Sequence, residues 1–374
     1  MARRDLPAAA TAAAATIVLL LLIYAGSRGL QDFDAALVGY AVGGVFAVGA
    51  LVYRYTRWLA RPPTWRYFRA GWASFLSWRN FRRYTLLVPQ AMWRDLIAQT
   101  FILKRGPVRW VMHQSIFWGV LLSCLITFPL TFGWIRFTLV PPADYQLWFF
   151  GLPLVVFPVE AGTGFALFHA LDWTALLLIV GVGIALWRRV RGVGLLSVQR
   201  FGFDLLPLVL LLAIAATGLA LSASSLWWEG RFYWFISLTH QVVVVAWLLS
   251  LPYGKFFHIV QRPASVGVTL YQAVTHGLEQ ARGLAAPAAA VTGGAPEPAA
   301  ARPATGAAAD GRCRRCGGPL PSAQFVRDLQ DTLTEVGQRY DLGEGYGWLQ
   351  EYCPACKRVL RGQAYYRLLG RRFL

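Results

Sequence analysis

The stretch Phe232-Tyr-Trp-Phe-Ile-Ser-Leu-Thr-His240-Gln-Val-Val-Val-Val-Ala-Trp-Leu-Leu-Ser-Leu251 contains no Asp, Glu, Lys or Arg. About 20 such residues wound as a helix, at about 1.5 Å per residue, match the hydrocarbon thickness of a bilayer. Lipid offers no hydrogen bonds to an open backbone, so the run is read as a spanning helix. Five further runs have the same character: Ala8–Ala25, Ala35–Tyr55, Trp110–Phe132, Phe165–Trp187 and Phe203–Ala223. The composition agrees. The chain is 56% hydrophobic and only 14% charged, where a soluble domain carries about a quarter charged residues. The fold class expected is an all-α polytopic membrane protein with about six transmembrane helices, plus a small cytoplasmic zinc-ribbon-like domain. Met1–Asp5 ahead of an Ala/Leu-rich core has the look of a secretory signal. The run is long for a signal core and other spans follow, so a retained helix is the expectation.

Charged loops orient the spans. From Arg54 to Arg109 about a dozen Arg and Lys face one acid, Asp95, and Arg188–Arg200 has four Arg and no acid. The alternate connections are balanced or acidic: Arg28 against Asp32 and Asp34, Arg136 against Asp144 and Glu160, Arg231 against Glu229. By the positive-inside rule the basic loops are cytoplasmic, which places both termini inside a bacterial-type cytoplasmic (inner) membrane. The net charge of +18 then reflects topology and attraction to anionic membrane lipid, not nucleic-acid binding. Trp58, Trp65, Trp72, Trp78 and Trp93 alternate with Arg in the long basic loop, as in interfacial amphipathic helices or a platform for a cytoplasmic partner.

The expected organisation is two N-terminal spans over 1–56, the basic loop over 57–108 and a four-helix core over 109–263. A cytoplasmic segment with an Ala/Pro/Gly-rich linker follows over 264–311, then a four-cysteine domain over 312–374. The linker cannot build a core.

Ionisable residues inside a membrane are functional suspects. His113 begins the third span near the cytoplasmic face, and His169 begins the fourth near the outer face. His240 lies about two turns into the sixth span from outside. His258 lies 18 residues further on, which on one helix is five full turns, the same face, and about 27 Å along the axis. The depths pair His169 with His240 outside and His113 with His258 inside. Two stacked bis-histidine sites suit two b-type haems, because haem iron takes imidazole as an axial ligand and bundle cores hold cofactors between helices. Pro252, between His240 and His258, makes the same-face argument approximate. Taken alone, any one of these histidines is more often a packing or interface residue; the two-plus-two pattern of depths carries the haem reading. His276 lies beyond the membrane and reads as solvent-facing.

Arg109-Trp-Val-Met-His113-Gln-Ser-Ile-Phe-Trp-Gly119, Thr239-His240-Gln241 and Leu251-Pro-Tyr-Gly-Lys255-Phe-Phe-His258 resemble the haem helices of a known group. That group comprises the membrane subunits of heterodisulfide reductase and of dissimilatory sulfite-reduction complexes. The 18-residue histidine pair also resembles the respiratory nitrate reductase gamma subunit. There the other two ligands share one helix, whereas here they fall on two, so the heterodisulfide-type subunits are nearer. The resemblance covers roughly Arg105–Pro263. It implies the quinol- or quinone-reactive subunit of a multi-subunit oxidoreductase, relaying electrons between the quinone pool and a cytoplasmic iron–sulfur or other redox subunit. Arg109, Lys255 and Arg262 inside, and Arg136 and Arg231 outside, are candidates to pair with haem propionates; taken singly, each is somewhat more often an ordinary interface anchor. Asp172, one turn from His169, is the candidate for taking a quinol proton or orienting that histidine. Glu160 and Asp204 are weaker candidates. Gln114 and Gln241 directly follow the histidines and point elsewhere.

Cys313-Arg-Arg-Cys316 and Cys353-Pro-Ala-Cys356 form two Cys-x-x-Cys pairs with 36 residues between Cys316 and Cys353. Four thiolates from two knuckles suit one zinc, with a rubredoxin-like iron as the rival. A reducing cytoplasmic side disfavours disulfides. Docking is the expected role of this domain. Cys124, mid-span, is read as a small apolar residue. Gly39-Tyr-Ala-Val-Gly43 is a close-packing motif. Two rival functions remain, a membrane transporter and a membrane-anchored zinc adaptor without a redox role. A transporter would more readily show broken helices at the midplane.

Overall fold

A helix that is apolar on all sides has no face to turn toward water, and the chain folds around six of them. In the computed structural model, residues 2–160, 162–191, 201–281, 312–320, 323–335, 337–338, 340–342, 346–360 and 363 are described. The helices are α1 (Ala2–Gly26), α2 (Val38–Leu59), α3 (Pro62–Phe75), α4 (Phe81–Ala91), α5 (Thr100–Leu103), α6 (Pro107–Thr131), α7 (Gly162–Phe168) and α8 (Ala170–Arg191). They continue as α9 (Leu206–Trp227), α10 (Tyr233–Ser250), α11 (His258–Ala281) and α12 (Ala323–Glu335). Six segments are long and apolar enough to cross a membrane: Asp5–Gly26, Ala35–Leu59, Pro107–Thr131, Ala170–Arg191, Leu206–Trp227 and Tyr233–Ser250. Side chains such as Leu21, Val42, Leu125 and Val180 are exposed on them, which suits a lipid-facing surface. The Ala/Pro/Gly-rich linker over 282–311 and most of the basic link Arg188–Arg200 lie outside the described residues.

The chain divides into two compact units, Met1–Arg57 with Ala98–Gln261, and Trp58–Ile97 with Arg262–Leu374. In the first, the core is Leu178 and Val182 of α8, Leu211 and Ala215 of α9, and Trp247 and Leu248 of α10. In lipid the apolar environment does not drive helices together, so close packing has to. At the α6–α8 crossing, a Cβ on Gly119 would stand 3.1 Å from the Leu178 backbone nitrogen, and one on Gly181 only 2.8 Å from that of Ile116. Two glycines therefore set this crossing. The Gly39/Gly43 face of α2 meets α10 in the same way: a Cβ on Gly39 would lie 2.7 Å from Gln241 Nε2.

Two features differ from the sequence expectation. The fold is not all-α. The α6–α7 connection is a three-stranded antiparallel sheet, β1 (Ile135–Val140), β2 (Asp144–Phe149) and β3 (Leu152–Pro158), in the order β1-β2-β3. Its β2–β3 turn is Phe150-Gly151, both at positive φ (50° and 76°), the conformation a two-residue hairpin requires. A buried carboxylate fixes the sheet to the α1–α2 loop. Asp32, with its side chain 3% exposed, takes a bidentate pair from Arg28 (2.7 and 2.6 Å) and an ion pair from Arg136 at 3.3 Å. The Arg28 hydrogen bonds outweigh desolvation and, with both guanidinium charges, hold the Asp32 carboxyl below its usual range.

The second difference is that His240 and His258 do not share a helix. α10 stops at Ser250, Leu251–Gly254 form a turn, and α11 begins at His258 after a short 3-10 segment. Pro252 has no N–H to continue the helix, and Gly254 is extended (φ −100°, ψ −161°).

In the second unit, α12 packs on α3. Arg66 pairs with Asp331 (3.3 Å) and with Glu335. Tyr271 of α11, 2% exposed, donates to Asp328 of α12 at 3.3 Å. Burial raises the Asp328 carboxyl above its usual range, against the opposing hydrogen bond from Tyr271 and the charge of Arg66.

Candidate functional site

A cavity of about 440 Å³ lies among α6, α8, α9 and α10, with Leu37 and Tyr40 at one side. This falls in the size range of small-molecule and cofactor sites, roughly 300–1,000 Å³. Its wall is mostly apolar, with His240, Asp172, Ser222, Ser123 and Thr127 as convergent polar groups. Small residues make the room: a Cβ on Gly218 would stand 3.5 Å from His240 Cε1.

The hydrogen bonds around the histidines decide which ring nitrogen is available. Thr217 Oγ1 lies 2.6 Å from the Ala213 carbonyl, to which its single proton is donated, and 2.8 Å from His240 Nδ1. With that proton on the carbonyl, the hydroxyl accepts from Nδ1–H, which leaves the lone pair of His240 on Nε2. His169 Nδ1 is 2.8 Å from Asp172 Oδ2, and a carboxylate accepts, so His169 is also the Nδ1–H tautomer. His258 Nδ1 faces the Lys255 carbonyl, which can only accept. All three carry the arrangement that orients a metal-binding imidazole, with one nitrogen tied back and the other open.

Of the outer-face candidates, His240 and Asp172 line the cavity, and His169 stands behind Asp172 with the Phe165 ring 4.5 Å from its own. Asp172 Oδ1 accepts from Ser222 at 2.6 Å. Arg136 is engaged by Asp32 and lies 4.6 Å over the Trp148 ring, so its charge is already paired with the α1–α2 loop. On the other side, His113 is half-buried on α6, while His258 and Arg109 are exposed. Lys255 forms an ion pair with Asp204. Gln241 turns away from the cavity to the Ala36 carbonyl at 3.2 Å, and Gln114 reaches the Ala98 carbonyl at 3.0 Å. Thr217 and Ser222 escape a reading of the sequence. Hydroxyl residues are ordinary in apolar helices, and only the packing shows which ones meet a histidine or a carboxylate.

The four tail cysteines come together. Their sulfurs all lie within 4.8 Å of one another, with Cys316 and Cys353 at 3.7 Å. Four sulfurs at about 2.3 Å from a tetrahedral metal would stand about 3.8 Å apart, so the cluster can hold a metal ion. Each half is a tight knuckle. Gly317, at φ 67°, returns its N–H to the Cys313 carbonyl at 2.8 Å, and the Cys353 N–H points at Cys313 Sγ at 3.2 Å. Burial pushes the Cys313 thiol up, but backbone N–H groups of Cys316, Cys353 and Arg315 outweigh it and bring the value down to about 7. Burial raises Cys356, and the neighbouring thiols push it further the same way. Arg314 ties the first knuckle to the approach of the second through Glu351 at 2.6 Å. The described residues between the knuckles are built on α12 and an isolated bridge between Asp341 and Trp348.

No protein-family model, curated protein or solved structure matches this chain.

Proposed function

We propose that the protein is a quinone-linked electron-transfer subunit of the cytoplasmic membrane, carrying two b-type haems and relaying electrons between the quinone pool and a cytoplasmic iron–sulfur or other redox subunit. The observation that carries this reading is the cavity in the bundle core with His240 on its wall, its Nδ1 tied to Thr217 and its Nε2 left open. The donor chemistry fits haem: three of the four candidate histidines have Nδ1 hydrogen-bonded, which would leave Nε2 to hold the iron. His169 and His240 would serve the outer haem, and His113 and His258 the inner one. Haem supplies one-electron transfer when bound. The protein's own groups would hold the rings in place, surround them with a mostly apolar wall, and orient His169 through Asp172. Arg109 remains a candidate to pair with a haem propionate. Lys255, tied to Asp204, is placed to do so only by releasing that partner. The four-cysteine cluster would hold zinc, as a docking module on the cytoplasmic side, with both termini on that side.

The test is a dithionite-reduced minus oxidised spectrum of the purified protein, with haem quantified per chain. Two haems per chain and a b-type alpha band are expected, and His240→Ala is expected to lose one haem and keep the other. A wild-type protein without the band overturns the reading.

A further inference from the structure

Asp172 sits where α8 has just begun, and both of its oxygens are committed. Oδ2 accepts from His169 Nδ1 at 2.8 Å, and Oδ1 accepts from Ser222 of α9 at 2.6 Å. Its side chain is 20% exposed. It shares the wall of the cavity with His240. Among the described residues, His169 is its only ion-pairing partner, and no Arg or Lys neutralises it. Three other carboxylates of the first unit each have a cationic partner. Asp32 takes two guanidinium groups, Asp204 takes Lys255, and Asp5 takes Arg57 at 3.1 Å. The Ser222 bond fixes the carboxylate across a helix–helix interface. A surface carboxylate would not need that brace.

We infer that Asp172 is a positioning residue that sets the redox potential of the outer haem through His169. This rests on the haem reading above. Two effects act in the same direction. A carboxylate that takes Nδ1–H makes the imidazole a stronger donor at Nε2. An unneutralised negative charge in the wall of an apolar cavity is weakly screened and favours the more positive, oxidised iron. Asp172 therefore lowers the potential of the haem on its side of the membrane and leaves the other, held by His113 and His258, unaffected. The brace from Ser222 keeps the carboxylate from swinging off His169.

Asp172→Asn separates charge from position, because its side-chain oxygen can still accept from His169 Nδ1–H. Redox titration of the purified protein should show haem content retained at the wild-type level. One of the two midpoint potentials should move up, and the other should stay. Asp172→Glu, which keeps the charge, should move that midpoint less than Asn does. Asp172→Leu, which removes the hydrogen bond altogether, should lose haem from the outer site. Two unmoved midpoints in a fully loaded Asp172→Asn protein would overturn the inference and leave the dihaem reading standing. His169→Ala protein that still holds both haems would also overturn it. Wild-type protein without haem overturns both.

Discussion

At the scale of the residue, the chain repeatedly stations a small polar side chain to fix a larger one. Thr217 chooses the tautomer of His240, and Ser222 braces Asp172. The clearest energetic case outside the spans is Asp32, closed off from solvent between Arg28 and Arg136. Its carboxyl is held below the usual range, so it contributes stability that is fully present above the ordinary carboxylate value of about 4. That contribution fades as pH falls through the lower folded value. Amide exchange in residues 27–34 and 135–140 should therefore accelerate on acidification below about pH 4. Asp32→Ala should remove that acid dependence and weaken the loop–sheet junction by about 1.5–3 kcal/mol, the scale of hydrogen bonds to a charged group. Histidines and cysteines were legible as candidates because few residue types do their chemistry. Their partners were not, since Thr217 lies 23 positions from His240 and Ser222 lies 50 from Asp172, and nothing local marks such a meeting. The sequence suggested Arg136 as a haem partner from its charge alone, and its engagement by Asp32 is a tertiary fact of the same kind.

At the scale of the element, apolar length made all six spanning helices readable, with boundaries displaced by a few residues. The fourth differs most. Phe165–Phe168 belong to the short α7, and the long helix starts at Ala170. The hairpins also left a trace, alternation in Ile135–Val140 and the Phe150-Gly151 turn, which the strong helical hydropathy on either side obscured. The Pro252 break was visible as a proline, but its extent was not: α10 ends two residues before it. The Gly119–Gly181 crossing could not be read at all, because a glycine in an apolar run shows nothing of what approaches it. Gly119→Leu should force α6 off α8, whose Leu178 backbone leaves no space for a side chain. The expected result is a loss of thermal stability in detergent of about 1–3 kcal/mol, typical of overpacking. Gly183→Leu, with nothing near its Cβ position, should be tolerated on the same assay.

At the scale of the whole molecule, the sequence separates a membrane-embedded part from a four-cysteine tail. It divides the chain linearly, where the structure groups Trp58–Ile97 with the tail. That grouping depends on Arg66 reaching α12, a separation of more than 260 residues that no local pattern foretells. The tail has a small core of Cys313, Leu320, Tyr352 and Cys356, two of whose four members are thiols. Its fold should thus depend on metal, with about 10–16 kcal/mol available from a structural zinc. Cys353→Ser, or chelation of the wild-type protein, should make residues 312–360 sensitive to protease while the six membrane-spanning helices stay protected. Elemental analysis of the untreated protein should return one zinc per chain; iron in its place would assign the rubredoxin-like alternative.

The β1–β2 connection has a practical use. Residues 141–143 are exposed at a hairpin tip, and the strands on either side are held in register from Ile135↔Phe149 to Val140↔Asp144. Such tips accept insertions without disturbing the elements they join. An epitope placed after Ala143 would turn this hairpin into a reporter of sidedness. In intact spheroplasts it should be stained by antibody from outside, while a tag after Leu374 should stain only after permeabilisation. The reverse pattern would invert the orientation proposed from the charged loops.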